Sequence, residues 1–423
     1  MKGLYKFVIN FFKVVLRGNL LIAFISLLTG IILARFLNAD GRGELSIIIT
    51  YATFISTLSN FSIPEVIVKK ENNNLNILNI LLLLSLISAF GCSLFFLVWF
   101  VVDGLIFNEI VFYAAFFIPA NFLNGYLIGV LQSRQLFGKL MWVRIIMPLS
   151  SVTLIVAVAL LGHLTVNIVI GIYIISNLLV LISLFLLLNR DFYFKFDILE
   201  VKNVIKWSRS FHLVTVIIIA ATEIDKLLIA SALDATSIGN YVVATTIPIA
   251  LTNLIVSTAQ TVLLPMYKKD NLRDFYITCS RFYFLVLTPL MILVGGLLYF
   301  IIPILFGKQY YIAAELAPFV MLSWVFSGFK RLHARTIRGL GFEKIFSISE
   351  VIYLSSISLI SFFFIMLLYI DIFYFSVILV ASSFVSFFYC LIMLSKSIID
   401  SNVACFFSLQ ALKNDIVGLF YKG

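Results

Sequence analysis

Glu223, Asp225 and Lys226 interrupt an apolar run from Ser208 to Ala232. Charges in such a run are costly in hydrocarbon unless they meet a cavity or one another. In a helix, Glu223 and Lys226 stand three residues apart on one face, where an ion pair forms. Asp225 points to another face. Two chemistries fit: the charges pin the helix, or Lys226 meets an anionic head group while Asp225 acts as a proton- or cation-sensitive switch. Arg35, near the end of another apolar run, poses a similar choice. Its side chain either snorkels to the interface or turns inward, where a planar fork of donors suits phosphate oxygens. Glu65 stands four residues before Lys69, in register for an interfacial pair. Arg331, Arg335 and Arg338 share a helical face beside Lys330, and Glu350 is close enough in sequence order to neutralise that cluster.

Other chemistries lack their residues. Cys92, Cys279, Cys390 and Cys405 show no CxxC spacing, which argues against structural zinc or disulfides. His163, His212 and His333 show no ligand spacing and read as interfacial or packing residues. The Gly41-Arg42-Gly43 sequence lies between two apolar runs, where turn formation explains it better than phosphate cradling. No metal, cofactor or catalytic nucleophile is expected. Prolines 64, 119, 248, 265 and 318 mark kinks. Asn121, Asn124, Tyr126, Asn253 and Gln260 are polar positions able to meet hydroxyl groups.

Twelve long apolar stretches must position these residues: 19–37, 44–67, 77–102, 109–131, 138–161, 167–188, 208–232, 240–266, 281–305, 311–337, 347–369 and 372–396. Hydrophobic residues make up 62% of the chain and charged residues 12%, with a mean hydropathy of +1.12, which excludes an ordinary soluble domain. Runs of about 20 residues fit membrane-spanning helices rather than barrel strands. Lys and Arg gather in every second gap, from Lys2, Lys6, Lys13 and Arg17 through Lys69–Lys70 to Lys330–Lys344 and the C-terminal end; 26 of the 30 basic residues lie there. The gaps between hold almost none: 103–109, 162–167, 234–239 and the turn at Asp371. Positive charge stays inside, so both termini are expected in the cytoplasm. The net charge of +10 is explained by topology and anionic membrane lipid, and nucleic-acid binding is excluded on that ground.

Residues 1–18 read as an amphipathic cytoplasmic segment, with Leu4, Phe7, Val8, Phe11, Phe12, Val15 and Leu16 among four positive charges, lying on the inner leaflet rather than cleaved. A six-helix block follows over 19–188, then a charged cytoplasmic linker over 189–207, a second block over 208–396 and a cytoplasmic tail over 397–423. A shift of 196 positions lays Ala34, Leu37, Ala39, Gly43 and Thr50 onto Ala230, Leu233, Ala235, Gly239 and Thr246. Both blocks start inside, so the repeat is parallel, about an axis along the membrane normal.

Three stretches carry a family resemblance. They are Ala34-Arg35-Phe36-Leu37 with Gly41-Arg42-Gly43-Glu44-Leu45-Ser46; Asp225-Lys226-Leu227-Leu228-Ile229-Ala230 with Ile238-Gly239-Asn240-Tyr241, Ala244 and Leu264-Pro265-Met266-Tyr267; and Leu305-Phe306-Gly307-Lys308-Gln309-Tyr310 with Gly339-Leu340-Gly341. In order and spacing the chain resembles the Wzx-type O-antigen and polysaccharide repeat-unit flippases of the multidrug/oligosaccharidyl-lipid/polysaccharide exporter superfamily. The resemblance implies an all-α membrane protein of twelve transmembrane helices in two six-helix bundles around a V-shaped central cavity. It implies an undecaprenyl-diphosphate-linked oligosaccharide as substrate and a bacterial inner membrane as location. Asp225 falls on the family's acidic position in the seventh helix.

On that reading Arg35, Lys226, Arg331 and Arg335 contact the diphosphate, while Asp225, Glu223 and Glu65 serve coupling. The energy source stays open between proton or ion coupling and downhill flow drawn by a polysaccharide polymerase outside. Two rivals remain: a drug or cation antiporter of the same superfamily, which favours an acidic cavity, and a membrane enzyme, which needs a larger outward loop than any gap here.

Overall fold

The computed structural model describes residues 2–59, 62–63, 87, 90–94, 109–134, 136–188, 198–263, 272–339, 343–366, 371–396 and 408. Among them every regular element is a helix. In chain order these are α1 (Lys2–Ser59), α2 (Glu109–Ser133), α3 (Phe137–Leu160), α4 (Val166–Leu188), α5 (Ile198–Ala232), α6 (Ala235–Leu263), α7 (Leu272–Phe282), α8 (Thr288–Phe306), α9 (Tyr311–Gly339), α10 (Glu343–Met366) and α11 (Ile372–Leu394). Eight helices among the described residues are long and apolar enough to cross a membrane. The first of these, Arg17–Leu58, has 42 residues. At about 1.5 Å per residue it is long enough for two crossings of a roughly 30 Å core. It breaks at Asn38, whose φ of 58° and ψ of −176° leave helical space. Asparagine tolerates positive φ better than other side-chain-bearing residues, so the two apolar runs separate there. The protein is a multi-pass α-helical membrane protein.

Short gaps become tight turns because their residues satisfy the helix ends. Gly162, at φ 73°, closes α3 by donating its N–H to Ala159 O at 3.0 Å, the left-handed terminus that glycine adopts without steric cost. Asp234 caps α6 by accepting from the Ser237 N–H at 3.0 Å. Hydrogen bonds from the Ser237 side chain and backbone hold its carboxyl below the usual range. Asp371 caps α11 by accepting from the Ile372 N–H at 2.7 Å, so the lone acid expected in that turn is a helix start.

Several expectations change in detail. The linker expected over 189–207 is already helical from Ile198, and α5 runs 35 residues. The span expected over 281–305 falls within the apolar helical stretch Cys279–Phe306; the short amphipathic helix α7 leads into it, and a π turn at Tyr283–Leu287 joins α7 to α8. Pro289 follows that turn and has no N–H to give. The N–H of Thr288 instead reaches Tyr283 O, one residue further than an α-helix allows. Pro148 and Pro303 lie inside helices as well. Pro64, Pro265 and most of the run at 77–102 lie outside the described residues. The backbone of the N-terminal segment is helical from Lys2 and continuous with α1.

Two compact units divide the chain: residues 32–230, and residues 1–31 with 231–423. In the first, α4 packs on α2 and α3 around Phe122, Leu127, Leu131, Ile155 and Leu184. In the second, α9 is the central helix, meeting α6, α8 and α11, and it is the most buried of the candidate spans among the described residues. Gly328 permits that closeness. A Cβ there would lie 2.6 Å from the Tyr283 hydroxyl oxygen and 3.2 Å from Thr252 Cγ2. The Tyr283 hydroxyl is committed, donating to the Val325 carbonyl. Overpacking of this kind costs about 1–3 kcal/mol or more. Gly328→Val should therefore lower the thermal unfolding midpoint of the detergent-purified protein by several degrees. Gly296→Ala, at a site with nothing within 4 Å, should leave the midpoint unchanged or slightly higher.

Candidate functional site

The charges of α5 form as their spacing requires. Lys226 Nζ donates to Glu223 Oε2 at 2.7 Å, with side-chain exposures of 22% and 10% respectively. Asp225 is buried and accepts from the Lys226 peptide N–H at 2.8 Å through Oδ1. With all three groups ionised the cluster is net negative by one charge. The Lys226 ammonium is therefore shared with a carboxylate, and an incoming anion must compete with Glu223 for it. Arg35 projects from the outer surface of its unit: Leu33, Ala34 and Leu37 around it are buried, whereas Arg35 and Phe36 are exposed. Three residues later the chain breaks at Asn38, so Arg35 sits on the last regular turn of that span. Glu65 lies outside the described residues.

In the second unit the basic cluster splits. Arg331 places its guanidinium over the Trp324 ring, 4.6 Å from the centroid, a cation–π contact two turns along α9. Arg335 continues the helix, and its side chain lies outside the described residues. Lys330 departs from the topological reading, which would place it at a wet interface. It is 2% exposed. Its Nζ sits 3.1 Å from Glu350 Oε1 and donates to Ser386 Oγ at 2.7 Å. The physical reason is a polar face on α11, where Ser382, Ser383 and Ser386 are fully buried, so α9 finds hydroxyls where hydrocarbon was expected. Ser323 and Ser383 pair at 2.9 Å in the same seam. Among the described residues, the expected neutralisation of this cluster by Glu350 is seen at Lys330. The repeated serines were the available signal, although nothing in sequence says which helix they face.

His333 is a packing residue. It is buried, its Nε2 lies 3.2 Å from Ser280 Oγ, and its ring lies against Tyr276 at 4.2 Å and Phe329 at 4.7 Å. His163 is exposed in the α3–α4 turn. Among the polar positions expected to meet hydroxyls, Asn124 is taken up inside its unit, donating to the Asn177 backbone and side-chain oxygens at 3.3 Å. Tyr126 is buried. Asn121 donates to Ser56 Oγ at 2.9 Å. Asn253 is exposed, and the Gln260 side chain lies outside the described residues. Among the described residues there is no group of three or more His, Cys, Asp or Glu side chains able to hold a metal.

Comparison with solved structures gives the fold a wider setting. The lipid II flippase MurJ in its inward closed conformation superposes with a TM-score of 0.68 at 16% identity, covering 97% of this chain and 92% of that one. A multidrug resistance MATE-family transporter of the MOP superfamily, outward-facing, gives 0.59 at 14% identity over 93% and 96%. A MOP superfamily transporter from Pyrococcus furiosus, described as having a binding pocket of reverse polarity, gives 0.59 at 14% over 92% and 96%. These structures are of transporters and a flippase, and at such identities they show that the chain shares their fold. No curated protein matches in sequence. The family described as polysaccharide biosynthesis protein matches residues 32–315, which covers the whole α5 cluster, Arg35 and the π turn. The chain belongs to that polysaccharide biosynthesis family.

Proposed function

We propose that the protein is a flippase that moves undecaprenyl-diphosphate-linked oligosaccharide repeat units from the inner to the outer leaflet of the bacterial cytoplasmic membrane. It works by alternating access and serves synthesis of O-antigen or a related surface polysaccharide. One observation carries the reading: a polysaccharide-biosynthesis family signature over residues 32–315 on a fold shared with a lipid II flippase. Both termini, the 1–18 segment, the 189–207 region and the 397–423 tail face the cytoplasm, and the spans fall into blocks at 19–188 and 208–396. A polysaccharide polymerase consumes the product outside.

The physical task suits this chain. A diphosphate-sugar head group cannot cross about 30 Å of hydrocarbon unaided, since burying its charges and hydroxyls is prohibitively costly. Transport needs cationic side chains that hold the head group while the lipid tail stays in the bilayer. Arg35, Lys226, Arg331 and Arg335 take that part. Glu223, Asp225 and Glu65 supply the coupling. The Glu223–Lys226 pair gives the coupling a physical form: an arriving diphosphate must displace Glu223 from the same ammonium, so loading and the charge state of Glu223 are linked.

A strain lacking the protein should accumulate undecaprenyl-diphosphate-linked units on the inner leaflet and lose surface polymer. Units found exposed outside in that strain contradict the flippase reading, and a gain of resistance to cationic dyes on overexpression points to the drug-antiporter alternative. Charge-assisted hydrogen bonds are worth about 1.5–3 kcal/mol, about ten- to a hundredfold in rate. Arg35→Ala and Lys226→Ala should each therefore cut polymer export at least about tenfold at wild-type membrane levels. Arg35→Lys should retain part of it, and Asp225→Asn should also impair it. Complementation of surface glycan scored against membrane protein level is the measurement. Full export from both alanine variants removes them from the substrate path.

A further inference from the structure

Lys330 and Arg331 are neighbours in sequence and take different settings. Lys330 Nζ turns into the bundle, 3.1 Å from Glu350 Oε1 and 2.7 Å from Ser386 Oγ. Those contacts, on α10 and α11, set how α9 is rotated. Arg331, about 100° further round the helix, comes out half-buried on the face that carries Trp324. Seven residues drift only about 20° around a helix, so the half-buried Trp324 lies in line with it. The guanidinium carbon sits 4.6 Å from the centroid of the Trp324 ring. The axial rise between the two residues is about 10 Å, so the Arg331 side chain runs back toward the start of α9. Helix rotamers lean that way, and the ring holds the guanidinium there.

Trp324 stands near the middle of α9, which runs Tyr311–Gly339. It is well inside the apolar span Lys308–Ala334, away from the ends where interfacial aromatic residues gather. An arginine that only marked topology would extend past the C-terminal end of the span toward water. Arg331 is drawn inward instead, and charges held inside spans mark substrate and ion paths. The contact also orients the group. The ring covers the flat face of the guanidinium, while its N–H donors lie in the plane and point along its edge. A guanidinium stacked in this way presents that edge to phosphate oxygens, which it binds in pairs.

We propose that Trp324 is a positioning residue for diphosphate recognition: it holds the Arg331 guanidinium inside the span with its donor edge turned to the head group of the lipid-linked sugar. This rests on the flippase reading, with Arg331 as a head-group contact. Trp324 acts through Arg331 and not on the substrate itself. A leucine there keeps an apolar side chain and removes the π face, whereas a phenylalanine keeps a ring.

The test uses the full-length protein reconstituted in sealed vesicles, with initial translocation rates measured against the density of undecaprenyl-diphosphate-linked oligosaccharide. Trp324→Leu should raise the half-saturating density about three- to thirtyfold, and Trp324→Phe should recover part of the loss. In an Arg331→Ala background the same leucine change should add nothing, because the contact is already gone. Equal losses in the two backgrounds overturn the proposal, as does wild-type half-saturation in either Trp324→Leu or Arg331→Ala. If Trp324→Leu does not accumulate, fluorinated tryptophans inserted at position 324 alone decide. They keep the shape of the ring and weaken its attraction for a cation, so half-saturation should rise with each added fluorine. A flat series shows that the ring only packs, and overturns the proposal while leaving the flippase reading standing. A wild-type protein that moves no lipid-linked sugar contradicts the flippase reading, and the positioning role falls with it.

Discussion

Charge inside hydrocarbon must be balanced locally, and the described interior of this protein is arranged around that constraint. Water cannot complete a hydrogen bond at the centre of a bilayer, so each polar group must find its partner in the protein. Glu223 neutralises Lys226 within one helix, whereas Lys330 is neutralised across helices by Glu350 and donates a hydrogen bond to Ser386. Asn124 closes on Asn177, and Ser323 on Ser383. The two ion pairs differ in what they tie down. An i,i+3 pair moves with its helix and leaves packing free, while a pair between helices ties one helix to another.

Packing follows the same logic of local satisfaction. Apolar attraction does not drive helix association where the solvent is itself hydrocarbon, so close approach rests on small residues and polar contacts. Gly328 lets α9 lie against α6 and the π turn, and the serines of α11 carry α9 on its other side. The π turn at Tyr283–Leu287 adds an irregular joint beside that seam, and π turns of this kind often accompany function. α9 packs closely on α6, α8 and α11, while α10 packs chiefly on α11.

Much of the architecture was legible in sequence because it rests on periodicities that chemistry imposes. Apolar run length marks a span, and the helices at 137–160, 166–188, 311–339 and 372–394 lie within a few residues of the expected runs. The Glu223–Lys226 pair was legible from three-residue spacing. Lys330 was not. Its neighbours Arg331 and Arg335 make it look like one more topology marker, and its burial depends on Ser386 and Glu350, 56 and 20 residues away. The α7–π–α8 joint was hidden for a different reason: the missing N–H of Pro289 shifts a hydrogen-bond ladder without altering apolar periodicity. The role of Asn124 was hidden because helix rotation, which decides whether an amide faces a neighbour or a cavity, leaves no trace in a uniformly apolar helix.

The account centres on movement of a diphosphate-linked glycan across the bilayer, and reconstitution tests it without reference to cell physiology. Purified protein is placed in sealed vesicles containing an undecaprenyl-diphosphate-linked oligosaccharide, and an impermeant sugar-modifying enzyme outside reports the accessible pool. Vesicles with protein should expose the whole pool over time, while protein-free vesicles stop at the outer-leaflet fraction. An accessible pool that stays at the outer-leaflet fraction in vesicles containing folded protein, at every pH tried, would contradict the account.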